Sequence, residues 1–119
     1  MINILVVEDD PVSMHKIKHD LNSISYQLYL VSDSIEALNI FTQVKKLNLI
    51  ITDIQLPFGS GVDLIRDIRQ LDKKIPIIVV SGTLDRETIK LIKKYNCSDI
   101  LVKPYNKTRL HEVIHKLID

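Results

Sequence analysis

The sequence predicts an α/β fold, a three-layer sandwich in which a five-stranded parallel sheet is covered on both faces by five helices. Three observations lead there. Short aliphatic runs alternate with longer stretches of helical period through the whole chain. Three of those runs are apolar throughout, as expected for parallel strands buried on both faces. The connections between them are short, which implies βαβ units with right-handed crossovers.

The strand candidates are Asn3 to Val7, Gln27 to Val31, Leu49 to Thr52, Ile77 to Val80 and Ile100 to Val102. Between the first two, Pro11 to Asn22 sets Met14, Ile17 and Leu21 on one helical face. Ser34 to Val44 does the same with Ala37, Leu38 and Phe41, and Val62 to Leu71 with Leu64, Ile65 and Ile68. Thr108 to Ile118 closes the pattern with Leu110, Val113, Ile114 and Leu117. The stretch Arg86 to Tyr95 differs, because Ile89, Leu91, Ile92 and Tyr95 do not fall in one narrow stripe, so some of them must face outward.

Size and charge bound the function. A chain of 119 residues reads as one domain, 1–119, large enough for a core without covalent staples. Sixteen basic against 15 acidic side chains give a net charge of +1, which argues against a broad nucleic-acid footprint. Cys97 is the only cysteine, so neither an intrachain disulfide nor a thiolate metal cluster is expected, and the cytoplasm is the natural compartment. No apolar run approaches a membrane span, and "MINILVVEDD" turns acidic too early for a signal peptide.

In sheets of this kind, ligands sit beyond the carboxyl ends of the strands. Those ends carry Glu8, Asp9 and Asp10 after the first strand, Asp53 after the third, Ser81 after the fourth, and Lys103 followed by Pro104 after the fifth. Any one of these would read as ordinary loop polarity; their coincidence at four strand ends predicts one polar cluster. Two unit charges about 4 Å apart interact by about 4 kcal/mol at an effective dielectric near 20, so the clustered acids need counter-charge. Lys103 supplies part of it. A hard divalent cation, magnesium or manganese, is expected to supply the rest, since the ligands are all oxygen. A carboxylate nucleophile beside such a cation, a lysine and a hydroxyl suits phosphoryl transfer onto Asp53.

These residues carry a resemblance. "ILVVEDD", "DIQLPFGSG" with its proline four and glycine eight residues after the aspartate, "VVSG", and "NCSDILVKPY" together resemble the receiver domain of two-component response regulators, in the manner of the chemotaxis regulators, over nearly the whole chain. The resemblance implies a flavodoxin-like sheet of order 2-1-3-4-5. It implies that Asp53 accepts the phosphoryl group and that Glu8, Asp9, Asp53 and the Gln55 backbone carbonyl hold Mg2+. Lys103 would pair with Asp53 and then with a phosphoryl oxygen, Ser81 would turn inward as the switch hydroxyl, and the Lys103–Pro104 bond would be cis. Gln55 and Thr83 occupy positions that tune dephosphorylation. The donor would be a histidine kinase or a histidine phosphotransfer protein, and the output surface the fourth helix, fifth strand and fifth helix, meeting a downstream protein or a second copy.

Three departures stand out. Ile100 occupies the switch position where many members have an aromatic ring, so coupling is expected to be weaker or routed differently. Gly82 replaces the usual alanine after the hydroxyl, and Asn96 replaces a common glycine at a helix end, where asparagine tolerates the left-handed conformation.

Other constellations are weaker. His15 with His19 and His111 with His115 have chelating spacing, but each pair reads as a solvated helix face. The lysines of "KLIKKY" read as exposed helix charge. An aspartate-nucleophile hydrolase would need a second acid two residues after Asp53, where Gln55 stands. A flavodoxin-type phosphate loop is not expected from "EDDP". An adaptor that signals without phosphorylation remains the alternative, and no DNA-binding or membrane-binding element is expected within the chain.

Overall fold

The computed structural model describes residues 1–57 and 60–118. Ten elements alternate along the chain: β1 (Ile2–Val7), α1 (Pro11–Asp20), β2 (Tyr26–Val31), α2 (Ser34–Gln43), β3 (Leu49–Asp53), α3 (Gly61–Leu71), β4 (Ile77–Ser81), α4 (Arg86–Lys94), β5 (Asp99–Val102) and α5 (Lys107–Ile118). All strand pairs are parallel, in the order β2-β1-β3-β4-β5, as the resemblance implies.

Alternation along the strands feeds two cores. Ile4, Val6, Leu49, Ile51, Ile78 and Val80 face α1 and α5, meeting Ile17, Leu21, Leu110, Val113 and Ile114. Leu5, Val7, Ile50, Ile77 and Val79 face the opposite layer, where Ala37 of α2 and Leu64, Ile65 and Ile68 of α3 cover them. β3 and β4 are buried along their entire length, which explains their lack of polar alternation.

All five helices begin on a side-chain cap, that of α5 being Asn106, whose Oδ1 accepts the Arg109 N–H at 2.7 Å. Asp10, Asp33, Ser60 and Asp85 each accept the backbone N–H three residues on, and Pro11 fills the first position of α1, where a missing N–H costs nothing. At the other end of α4, Asn96 adopts φ 54°, the left-handed conformation that asparagine tolerates at a helix terminus.

The apolar residues of α4 divide between core and surface, as the lack of a single stripe implies. None of its residues is fully buried, but Ile92 and the capping Tyr95 pack against the second core. Tyr95 therefore does not belong to an uncovered patch; Ile89 and Leu91 are half-buried and stand outside both cores.

Candidate functional site

Register assembles the site. Val7 pairs with Thr52, so the residues one step further, Glu8 and Asp53, lie side by side at the ends of β1 and β3. Asp53 pairs with Val80 and Ser81 with Val102, which carries Ser81 and Lys103 to the same edge. β1 and β3 also flank the point where the winding reverses, since the chain leaves β1 toward β2 and returns past it to β3. Gly61 closes the loop after Asp53: a Cβ there would overlap the Asp53 carbonyl oxygen and the Ile54 Cα, both backbone atoms. That approach accounts for the glycine eight residues after the aspartate. Phe58 and Gly59 of the same motif lie outside the described residues.

Lys103 is the hub. Its Nζ donates to Glu8 Oε1 at 2.6 Å and to Asp53 Oδ2 at 2.7 Å, with Ser13 Oγ further away at 3.4 Å. The second oxygen of Asp53 accepts the Gln55 N–H at 3.0 Å, and the second oxygen of Glu8 accepts the Asp10 N–H at 3.2 Å. Glu8 and Asp53 are both buried, whereas Asp9 is exposed beside them. The Lys103–Pro104 bond is cis.

The electrostatics follow from burial and partners. Desolvation raises the Glu8 pKa, aided by the Asp53 charge, and the hydrogen bonds from Lys103 and the Asp10 N–H only partly oppose it. For Lys103, burial alone would lower the pKa, but the hydrogen bonds and charges of Asp53 and Glu8 outweigh it, so the ammonium is held more firmly than an ordinary lysine. Carboxylate oxygens of Glu8, Asp9 and Asp53 lie within 4.8 Å of one another. Three carboxylates against one ammonium leave two negative charges uncompensated when all are ionised. An all-oxygen donor set with that surplus fits a hard divalent cation.

Ser81 is buried and turned toward its own loop, donating to the Thr83 carbonyl at 2.6 Å and accepting the Thr83 N–H at 3.2 Å. Gln55 and Thr83 thus sit directly against Asp53 and Ser81. Ile100 is half-buried against the second core. The remaining candidates separate from the site: His15 and His19 are exposed on α1, and His111 Nε2 is 2.7 Å from the Asp20 carbonyl. Among the described residues, the acidic trio is the one group of three or more His, Cys, Asp or Glu side chains that converges. Burial pushes the Cys97 thiol up to about 11, far from a reactive thiolate. Ser13 was not legible as a site residue, because third in a helix it reads as a neutral filler.

With this geometry in view, the family can be stated. The family model for the response regulator receiver domain matches residues 4–115. The chain belongs to that family. Among similar proteins, the transcriptional regulatory protein MalR of Bacillus subtilis is 32% identical over 116 residues, covering 96% of this chain and 49% of that protein. A response regulator receiver protein from Pseudomonas putida is 32% identical with a TM-score of 0.88, over 97% of this chain and 96% of that one. A CheY-like receiver domain protein from Methanospirillum hungatei superposes with a TM-score of 0.93 at 25% identity, over 100% of this chain and 94% of that one. The chain spans about half the length of the bacterial relatives MalR and two response regulatory proteins of Staphylococcus epidermidis. Receiver domains are signalling phosphoacceptors that bind Mg2+ through an acidic pocket and interact with histidine kinases and downstream effectors. Among the described residues of this receiver, no helix is long and apolar enough to cross a membrane.

Proposed function

We propose that this receiver takes a phosphoryl group onto Asp53 from the phosphohistidine of a kinase or phosphotransfer protein, and signals through the surface of α4, β5 and α5. The observation that carries the reading is the placement of Lys103, 2.7 Å from Asp53 Oδ2, at the edge of a carboxylate trio fitted to a divalent cation. Glu8, Asp9, Asp53 and the Gln55 carbonyl would hold Mg2+, which when bound supplies charge neutralisation for the phosphoryl oxygens.

The chain's own groups do the rest. A carboxylate oxygen of Asp53 forms the new O–P bond as the P–N bond to the donor imidazole breaks, and the imidazole leaves with that electron pair. Lys103 exchanges its Asp53 oxygen for a phosphoryl oxygen, and Ser81 gives up the Thr83 carbonyl to donate to another. Gln55 and Thr83, against these two residues, govern how easily water reaches the acyl phosphate. No second acid follows Asp53 to drive its hydrolysis, since Ile54 and Gln55 stand there, so the product is a lasting signal rather than a turnover intermediate. The acyl phosphate brings about −1.5 to −2 charges, enough to bias a loop between two arrangements. Ile100 follows the loop by packing rather than by swinging a ring. Val102 on the edge strand β5 and Leu84 just before α4 are exposed apolar side chains, which supports this as the side that meets a downstream protein or a second copy.

Incubation with acetyl phosphate and Mg2+, followed by intact mass, tests the reading. Wild type should gain one phosphoryl group, and Asp53→Asn none. Continuous consumption of donor without a labelled protein would instead make it a hydrolase, and no labelling from any donor would leave an adaptor.

A further inference from the structure

An ammonium has three N–H bonds to place. In Lys103 two go to Glu8 Oε1 and Asp53 Oδ2, at 2.6 and 2.7 Å, and among the described residues the remaining partner within reach is Ser13 Oγ at 3.4 Å. Ser13 sits in the first turn of α1 and is held there twice by Asp10, whose Oδ2 accepts its backbone N–H at 3.0 Å and its hydroxyl at 2.8 Å. With its own proton committed to Asp10, the Ser13 oxygen has only lone pairs to offer Lys103.

The three partners differ in what they must do next. Glu8 and Asp53 are two of the three carboxylates that converge as a candidate cation site, and Asp53 is the proposed phosphoacceptor. Both must loosen from Lys103 when the site is loaded. Ser13 is uncharged, stands outside that trio, and has no such competing duty. Beside it opens a cavity of about 330 Å³, lined by Ser13, Lys16, Lys103, Pro104 and Tyr105. A Lys103 ammonium released by its carboxylates has room to fall into that space, away from Asp53.

We propose that Ser13 is a positioning residue for Lys103: the tethered hydroxyl keeps the ammonium aimed at the phosphoryl group while Glu8 and Asp53 change partners. The inference rests on the assignment of Asp53 as phosphoacceptor and adds a residue to its machinery.

Transfer from acetyl phosphate in the presence of Mg2+ tests it. Ser13→Ala should slow labelling of Asp53 about fivefold, the loss of one modest hydrogen bond to a charged group, and Ser13→Thr should retain most of the rate. In a Lys103→Ala background, Ser13→Ala should slow labelling no further. A wild-type rate in Ser13→Ala, or the same loss in both backgrounds, would overturn the proposal and reduce Ser13 to a helix residue. If wild type itself is not labelled, the assignment of Asp53 fails, and the contact is then read from the unphosphorylated protein. There the Lys103 ammonium resonance should shift and exchange faster with solvent in Ser13→Ala, and an unchanged resonance would overturn the proposal independently of any transfer.

Discussion

α3 and α4 pack on the same face of the sheet, yet one is built into the core and the other rests against it. α3 buries Gly61, Leu64, Ile65, Ile68 and Arg69, whereas α4 buries no residue completely and contributes only Ile92 and its cap Tyr95 to the second core. Each fully buried aliphatic side chain is worth roughly 1.5–3 kcal/mol, so the first helix is locked to the global fold and the second is held by a small surplus. The difference teaches where a receiver can move. Ser81 ends the strand whose following loop leads into α4, the helix with the smaller buried share, where rearrangement costs least.

The contrast is open to attack at several points. Ile68→Ala, at a site with no solvent exposure, should lower unfolding stability by about 2–5 kcal/mol in urea titrations, whereas Ile92→Ala should lower it by only about 1–2 kcal/mol. Equal losses would erase the distinction. Native-state hydrogen exchange should likewise show α4 amides opening locally while α3 amides exchange only on global unfolding.

Arg69 joins the two helices and sharpens the comparison. Its guanidinium, buried on α3, donates to the Tyr95 carbonyl at 2.7 Å, the Asn96 carbonyl at 3.0 Å and the Asp72 carbonyl at 3.2 Å. It therefore caps the C-terminal end of its neighbour, satisfying carbonyls that the helix itself cannot. Arg69→Met should cost about 1–3 kcal/mol and speed exchange selectively in α4; uniform acceleration through α3 as well would show the clamp serves the whole fold.

The smallest effect is expected far from both helices, on α1. Burial alone would raise the Asp20 pKa, but the hydrogen bond and charge of Lys16 at 2.8 Å, with His19 adding to them, outweigh it and hold the carboxyl below its usual range. A depressed carboxyl stabilises the fold above its unfolded pKa, near 3.9, and loses that contribution as pH falls through the folded value. Thermal midpoints of Asp20→Asn should therefore fall below wild type at neutral pH and converge with it in acid. A constant gap across that range would contradict the linkage.

Much of this architecture was legible beforehand, for identifiable reasons. Buried parallel strands such as Leu49–Asp53 announce themselves by unbroken aliphatic runs, and amphipathic helices such as α5 by their stripe. Boundaries shift by one or two residues: α1 stops at Asp20, with Leu21 as its cap, α2 stops at Gln43 because Val44 is already extended, and β3 and β4 run one residue further than expected, to Asp53 and Ser81. Strand order was not readable from patterning, since near-uniform strands look alike, and came only with the family resemblance. The acids, hydroxyl and lysine of the site were readable because each ends a strand. Ser13 and Arg69 were not: their roles depend on contacts 90 and 26–27 residues away, which no local pattern encodes. Which of the apolar residues of α4 face inward was unreadable for a related reason, because a residue at a helix end such as Tyr95 is placed by the tertiary contacts of its turn.

One measurement reaches the centre of the account. After phosphorylation with acetyl phosphate and Mg2+, borohydride reduces an acyl phosphate to the alcohol, so an aspartyl phosphate leaves homoserine at its position. Peptide mapping should find homoserine at position 53 and nowhere else. Homoserine at position 9 or 10 instead, or reduction of Glu8, would show that Asp53 is not the residue that carries the signal.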